Sequence, residues 1–493
     1  MAPPTTSFVT DRLDRRQLGP AHIVFFAVAA AAPLTVIAGA AVTTVAVTGV
    51  TAIPAGYLAV AVALAVFAAG YVAMSRHIVN AGGFYSYITH GLGPAAGISA
   101  AGVALTAYAA MQVGLFGAFG YLGSRILNAF DIDTPWWICG LASWAIIGVL
   151  GLLDLTLNAR VLAVMLCAEV AIVVFYDIIM ISHPAGGVVR WDTLQPTQLL
   201  DPTTAGVMVV CVAGFVGFEA TVVFAEKARN PKHTIAIATY LALGIIGLLY
   251  GLSAWAISVA TGPAAFVARA QADGAELMFN LVLPHVGQTL VQVGQLFFLT
   301  SLFASLLVFH HTVSRYIYAL GRAQILPAVC GRKVRQTGAP KVGSLTQTVL
   351  ALVVITAFAI LGWDPMDHLF ALVTTAGGLG VLLLMAATCA AVIRFFHRNP
   401  RGEPIWRRTI APVLAGLFLT ALAISTIINY GPLLQVASSS PLAWGFPAGY
   451  AVVAAAGLIW ALWLRWRRPE TYRRIGGLDH QPRQPRRPQA ASA

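Results

Sequence analysis

The stretch AAAPLTVIAGAAVTT, residues 30–44, sets Pro33 and Gly39 in the middle of an apolar segment that runs from about Gly19 to Val47. A second stretch, CVAGFVGFEA, residues 211–220, does the same with Gly214 and Gly217 inside an apolar segment from about Thr203 to Ala225. A lipid-facing helix has little use for helix breakers at mid-depth, because the freed N–H and C=O groups find no water there. Broken helices are tolerated where they line a cavity, and their half-helix ends can bind charged solutes. The two breaks occupy corresponding places in the two halves of the chain. They point to a solute site near the midplane of a bilayer.

Composition agrees. The chain has 493 residues, 58% of them hydrophobic and 10% charged, with a mean hydropathy of +0.80. Soluble domains carry about 25% charged residues. Apolar stretches long enough to cross a bilayer as helices recur along nearly the whole length. Twelve are read, at about 19–47, 51–73, 95–123, 135–153, 159–181, 203–225, 234–260, 285–320, 344–362, 367–393, 409–430 and 443–466. The polar N-terminus and the span directly after it look unlike a cleavable signal, so the first span is expected to be retained. The five cysteines are scattered without metal spacing, and neither disulfides, zinc nor a cofactor is expected.

The net charge of +12 is a matter of topology rather than of nucleic acid. With a cytoplasmic N-terminus, only about three of the 30 basic residues, Arg125, Arg190 and Arg269, fall outside. The outer loops carry acids instead, among them Asp131, Asp133, Asp364 and Asp367. This follows the positive-inside rule at essentially every loop and places both termini in the cytoplasm. The compact loops point to a cell membrane, that of a bacterium first.

Spans 1–5 and 6–10 each open on a broken helix and contain an odd number of passes, so the second series is inverted relative to the first. The expected organisation is a cytoplasmic segment 1–18, a first repeat 19–181, an extracellular loop 182–202, an inverted second repeat 203–393, spans 11 and 12 within 394–466, and a disordered basic tail 467–493. The tail can rest on anionic lipid. Short helices are expected in 182–202 and 261–284.

Three motifs carry a resemblance. AGGFYSYITHGLGP (Ala81–Pro94), GFVGFEATVVFAEKARNPKHTIAIA (Gly214–Ala238) and SLFASLLVFHHTVSRYIYALGRAQILP (Ser301–Pro327) resemble, in order and spacing, segments of the amino acid–polyamine–organocation permease superfamily. The resemblance covers roughly residues 15–465. It implies an all-α membrane protein with a five-plus-five inverted repeat, the fold of leucine-type sodium symporters, plus two extra helices. It also implies uptake or exchange of amino acids or related amines.

An amino acid must exchange its hydration for protein groups at mid-membrane. Free backbone N–H groups at a half-helix start suit its carboxylate, and the expected cradle is Ile37, Ala38, Gly39 and Ala40. Exposed carbonyls near Leu34–Ile37 and Ala213–Val216 suit its ammonium. Gly217 belongs to the same break. Phe215 and Phe218 flank that break, and Phe218 falls where relatives carry a gating aromatic. Some arginine/agmatine exchangers have tryptophan where this chain has Ala213. With Gly214 beside it, that small residue leaves room for a neutral side chain, apolar or small and polar.

Two acids stand clearly within the spans, Glu169 and Glu219. Intramembrane acids are costly and default to function. Glu219 matches an acid found across the family. Glu169 stands where proton-coupled relatives place a lysine, which suits a proton, or a sodium ion held with Ser301 and Ser305. Gln112, Thr374 and Thr375 could face the substrate. His310 and His311 point to different faces and make a metal site improbable. Glu226, Lys227 and Arg229 form a cytoplasmic charge cluster.

Nothing resembles a P-loop or a converging nucleophile set, so no enzyme is expected. The reading is a secondary active transporter of an amino acid, proton-coupled, working by alternating access. Sodium coupling, an amino acid/amine exchanger, a polyamine importer and a solute-binding membrane sensor remain open alternatives.

Overall fold

The computed structural model describes residues 19–78, 82–153, 155–200, 204–223, 228, 230–334, 337–433, 436 and 440–475. The segment 1–18, Ala81 of the first motif, the cluster of Glu226, Lys227 and Arg229, and the tail beyond 475 lie outside them. Among the described residues every regular element is a helix, apart from an isolated bridge between Lys333 and Pro340.

Ten helices are long and apolar enough to cross a membrane. They are span 1 (Pro20–Thr48), span 2 (Ile53–Ser75), span 3 (Pro94–Asn128), span 5 (Ala163–Ser182, within a longer helix), span 7 (Lys232–Thr261), span 8 (within Phe266–Arg322), span 9 (Lys341–Leu361), span 10 (Pro365–Arg398), span 11 (Trp406–Ile428) and span 12 (Pro441–Arg467). The fourth expected span is the shorter apolar helix Trp136–Leu150. Of the sixth, the described residues show two pieces, Ala205–Gly214 and Ala220–Val223, with a break between them. The chain is an all-α membrane protein, and each of its two five-span series opens on a broken helix.

Local sequence sets where the helices start. Proline stands in the first turn of spans 1, 2, 3, 7, 10 and 12, where its missing N–H is no loss. Asp364 caps span 10, its Oδ1 accepting the N–H groups of Met366 at 2.8 Å and Asp367 at 2.7 Å.

Three details differ from the sequence reading. The loop 261–284 does hold the helix Phe266–Asp273, but the helix of span 8 already begins at Leu277 and bends at Gly287 (φ 77°, ψ 168°). The loop 182–202 forms only short 3-10 turns at Ala185–Gly187, Asp192–Leu194 and Pro196–Leu200. The chain after span 12 is helical at Pro469–Arg474, and Ile475 is buried. That residue gives the start of the tail an apolar anchor.

The breaks decide the centre of the molecule. The first half of span 1 ends at Ala31, and Ala32 takes a left-handed conformation (φ 48°, ψ 70°). Pro33 has no N–H with which to continue the ladder. The helix then resumes through wide π-type turns over Thr35–Ala41. In span 6 the chain turns between Gly214 and Ala220, and Gly217 sits at φ 123°, a conformation open essentially to glycine alone. The two breaks touch. A Cβ on Gly217 would collide with the Cβ of Ala30 and lie 3.1 Å from Ala30 C and 3.2 Å from Ala31 N. One on Gly214 would lie 3.1 Å from Val36 Cγ1. Glycine here lets two interrupted backbones meet.

Candidate substrate site

A cavity of about 460 Å³ opens against the two breaks. Its deep end is made by Ala30, Ala31, Ala32, Thr35 and Val36 of span 1, Ala213, Gly214 and Val216 of span 6, and Ser305 of span 8. Its mouth is made by Thr48 at the end of span 1, Tyr121 near the end of span 3, Ala275 before span 8, and Asp364 and Asp367 at the start of span 10. In an alternating topology all these helix ends lie on one side of the membrane. The size suits a small solute.

The polar groups of the break are held in place. Leu34 N–H, the first amide after Pro33, donates to Oε1 of Glu169 at 2.7 Å. Ser301 Oγ donates to the same oxygen at 2.6 Å. Glu169 is only 2% exposed and does not line the cavity. It stands behind the wall and ties spans 1, 5 and 8 together. One turn further along span 8, Ser305 Oγ donates to Ala29 O at 2.7 Å and to Ala30 O at 3.1 Å. Tyr250 of span 7 donates its hydroxyl to Ala31 O. The three carbonyls that end the first half-helix thus have partners from two other spans, as buried backbone groups require.

Glu219 plays a similar part at the second break. Its Oε2 accepts Gly217 N–H at 2.9 Å and its Oε1 accepts the hydroxyl of Tyr108 at 2.7 Å. Tyr71 donates to the backbone carbonyl of Glu219 at 3.2 Å. The carboxylate holds the Gly217 turn shut and joins it to span 3.

Thr35 is different. Its hydroxyl is buried, at 4% residue exposure, and has no partner. Thr44, Thr48 and Thr374 also line the cavity, but each donates to a carbonyl one turn back in its own helix, at 2.7, 2.7 and 2.6 Å. Among the described residues, Thr35 Oγ1 is the one buried, unpartnered side-chain polar atom of the wall. An unmet buried hydroxyl is expensive unless a ligand or water meets it.

The expected site residues fall in three places. Ala40, Ala213, Gly214 and Ser305 line the cavity, as do Thr374 and Thr375. Ile37, Ala38 and Gly39 stand off its wall, because Thr35–Ala41 is wound as helix and its amides are taken up in the turns. At the start of this half-helix Leu34 N–H is taken by Glu169 and Val36 N–H donates to Ala32 O at 3.0 Å, so the polar atom left open there is the hydroxyl of Thr35. The Cβ position of Gly39 faces the Phe298 ring at 3.8 Å, away from the cavity. Phe215, Gly217 and Phe218 are also off the wall. Phe215 packs on Tyr57 and Tyr250, with centroids at 6.5 and 5.8 Å. Phe218 packs on Phe67 and Tyr71, at 6.1 and 6.5 Å. Phe218 therefore belongs to a closed aromatic layer on the far side of the breaks from the mouth.

Gln112 is not at the cavity either. Its Nε2 donates to Leu306 O at 3.3 Å and lies 3.2 Å from His310 Nδ1, while His310 Nε2 lies 2.8 Å from Ser344 Oγ. This chain joins spans 3, 8 and 9. Among the described residues no three His, Cys, Asp or Glu side chains cluster as metal ligands would.

A third buried acid escaped the sequence reading although it lies inside span 5. Asp177 is 8% exposed and its Oδ2 accepts Ser253 Oγ of span 7 at 2.6 Å. The wall residues Thr35, Val36 and Val216 fall within the stretches whose carbonyls the sequence assigns to the ammonium, whereas Met111 and Phe309 carry no local signal beyond apolarity.

Ten helices of membrane-crossing length among the described residues, two touching helix breaks and a solute-sized cavity against them define a multi-pass membrane protein. The chain belongs to the amino acid permease family, whose model matches residues 23–455. A comparison with curated proteins finds no match. The family points to a membrane transporter of amino acids rather than an enzyme.

Proposed function

We propose that the protein is a secondary active transporter that carries an amino acid across the cytoplasmic membrane together with a proton, with Glu169 as the proton carrier. The observation that supports this most is the bridge Leu34 N–H···Glu169···Ser301, which joins the first helix break to spans 5 and 8. A carboxylate accepts both bonds strongly because it is charged, and the start of a half-helix favours that charge. Proton uptake neutralises the acceptor and weakens both bonds, so the break in span 1 is released from spans 5 and 8. Substrate held at the Thr35 hydroxyl rests on the same break. Proton and substrate therefore act on one element, as coupling requires.

Both termini are cytoplasmic in this reading, so the cavity faces outward. The opposite face is closed by the layer of Phe67, Tyr71 and Phe218. It is also closed by Glu403, whose carboxylate lies 3.2 Å from Arg76, 3.7 Å from His77 and 3.6 Å from Arg407.

Proton movement tests the proposal. Purified protein is placed in sodium-free liposomes containing a pH-sensitive dye, with an acidic exterior. A transported amino acid added outside accelerates acidification of the lumen if protons enter with it. An unchanged rate alongside measurable amino acid uptake overturns proton coupling.

A further inference from the structure

The cavity is polar at its deep end and again at its acidic mouth. At the deep end are the half-helix start, the free hydroxyl of Thr35, and the carbonyls held by Ser305 and Tyr250. Between the two ends one stretch of the wall is apolar. Met111 and Leu115 come from span 3, Phe309 from span 8, and Val209 and Val210 from span 6. Met111 is 8% exposed and Phe309 2%. Gly377 of span 10 packs against Met111, since a Cβ there would come within 2.6 Å of Met111 Cγ. The methionine is therefore backed by a fixed helix.

The hydroxyls of Thr44, Thr48 and Thr374 are spent on their own helices. The charged side chains of the cavity are Asp364 and Asp367, and both are exposed at the mouth. Asp364 is also committed as a helix cap. Among the described residues, the stretch of wall around Met111 and Phe309 carries no charged side chain.

We infer that the wall built on Met111 and Phe309 is the side-chain subsite of the substrate, and that it selects a neutral amino acid with an apolar side chain. The inference rests on the amino acid transport reading above. The charged head of the substrate is met at the span 1 break. Its side chain then points into a region where a methylene chain or ring gains contact, and where an ammonium, guanidinium or carboxylate would be buried unpaired. The acids at the mouth, in water, favour the approach of a positive end but do not follow it inward.

The test is ligand binding by the full chain in detergent, read as thermal stabilisation, and competition of uptake in liposomes. The probes are leucine, phenylalanine, lysine and glutamate. Leucine or phenylalanine is expected to bind at least roughly 100-fold more tightly than lysine or glutamate, as for a charge buried without a partner. Met111→Glu supplies a carboxylate to the wall and is expected to raise lysine affinity relative to leucine at least roughly tenfold. Met111→Ala only enlarges the wall. It is expected to favour phenylalanine over leucine by roughly tenfold relative to wild type, and it carries the test if the glutamate variant does not fold.

Wild-type protein that binds lysine as well as leucine overturns the inference and leaves amino acid transport standing. So does a folded Met111→Ala protein whose ratio of phenylalanine to leucine affinity is that of wild type. Wild-type protein that binds and moves none of the four removes the transport reading, and the inference with it.

Discussion

Replacing Gly217 by alanine attacks the contact between the two helix breaks. The position has φ 123°, and an L-residue forced into left-handed backbone is destabilised by about 1–2 kcal/mol. The new methyl group also meets the Cβ of Ala30, and the Ala30 and Ala31 backbone at 3.1 and 3.2 Å. Backbone cannot step aside as a flexible side chain can, and overpacking of this kind adds about 1–3 kcal/mol. The sum is roughly 2–5 kcal/mol. For a chain of this length that lowers the apparent melting temperature by roughly 2–5 °C. The assay is tryptophan fluorescence of purified protein in detergent at one fixed scan rate, since unfolding of such proteins is seldom reversible. Ala30→Gly in the Gly217→Ala background removes one of the two colliding methyl groups and restores about 1 kcal/mol. If Gly217→Ala melts with wild type, or the double variant shows only the sum of two independent losses, the breaks do not touch and the cavity between them is misplaced.

Further outcomes follow from individual residues. Thr35→Val keeps the shape of the side chain and removes the unpartnered hydroxyl. Substrate affinity is expected to fall about 2–12-fold, the range of one ordinary hydrogen bond, with no loss of melting temperature. Glu403→Gln weakens the contacts to Arg76, His77 and Arg407. It is expected to increase thiol labelling, from the cytoplasmic side, of a cysteine placed at Phe67. His77 lies just beyond span 2, and its pKa is held below the ordinary value of 6.5 by burial first, then by Arg401, with Lys232 and Arg76 adding and Glu403 opposing. The unfolded chain then binds more protons than the folded one. The stability tied to neutral His77 is present above about pH 6.5 and is lost as pH falls below it. A melting series from pH 8 to about pH 5 should show this slope, and His77→Gln should reduce it. An undiminished slope in the variant assigns it to other groups.

The sequence carries the existence of the breaks but not their register. Pro33 and Gly39 both look like breakers, yet only the proline acts as one. Gly39 lies inside the π-type turns and faces the Phe298 ring at contact distance, so no break falls at Ile37–Ala40; at the true break the Leu34 and Val36 amides are bonded to Glu169 and to Ala32 O. In span 6 the break is set by Gly217, whose positive φ has no local alternative. Glu169 and Glu219 stand out as acids in apolar runs, but their partners do not. Leu34 is 135 residues from Glu169, and Tyr108 is 111 from Glu219. Asp177 was passed over because it lies toward the end of its span, where a solvated acid is unremarkable, and only Ser253 of span 7 shows that it is buried. Phe218 reads as a gate by position along the chain. Its partners Phe67 and Tyr71 come from span 2, and that packing puts it behind the breaks rather than over the cavity.

The central claim is that Glu169 carries the coupling proton. Glu169→Gln is nearly isosteric, and its amide oxygen still accepts from Leu34 and Ser301, so the fold is retained. The measurement is uptake of a labelled amino acid into sodium-free proteoliposomes, with and without an inward proton gradient, for wild type and Glu169→Gln. The account predicts gradient-driven accumulation by wild type. The variant should show none, while still exchanging label with amino acid preloaded in the lumen. A variant that accumulates to the wild-type ratio would contradict it.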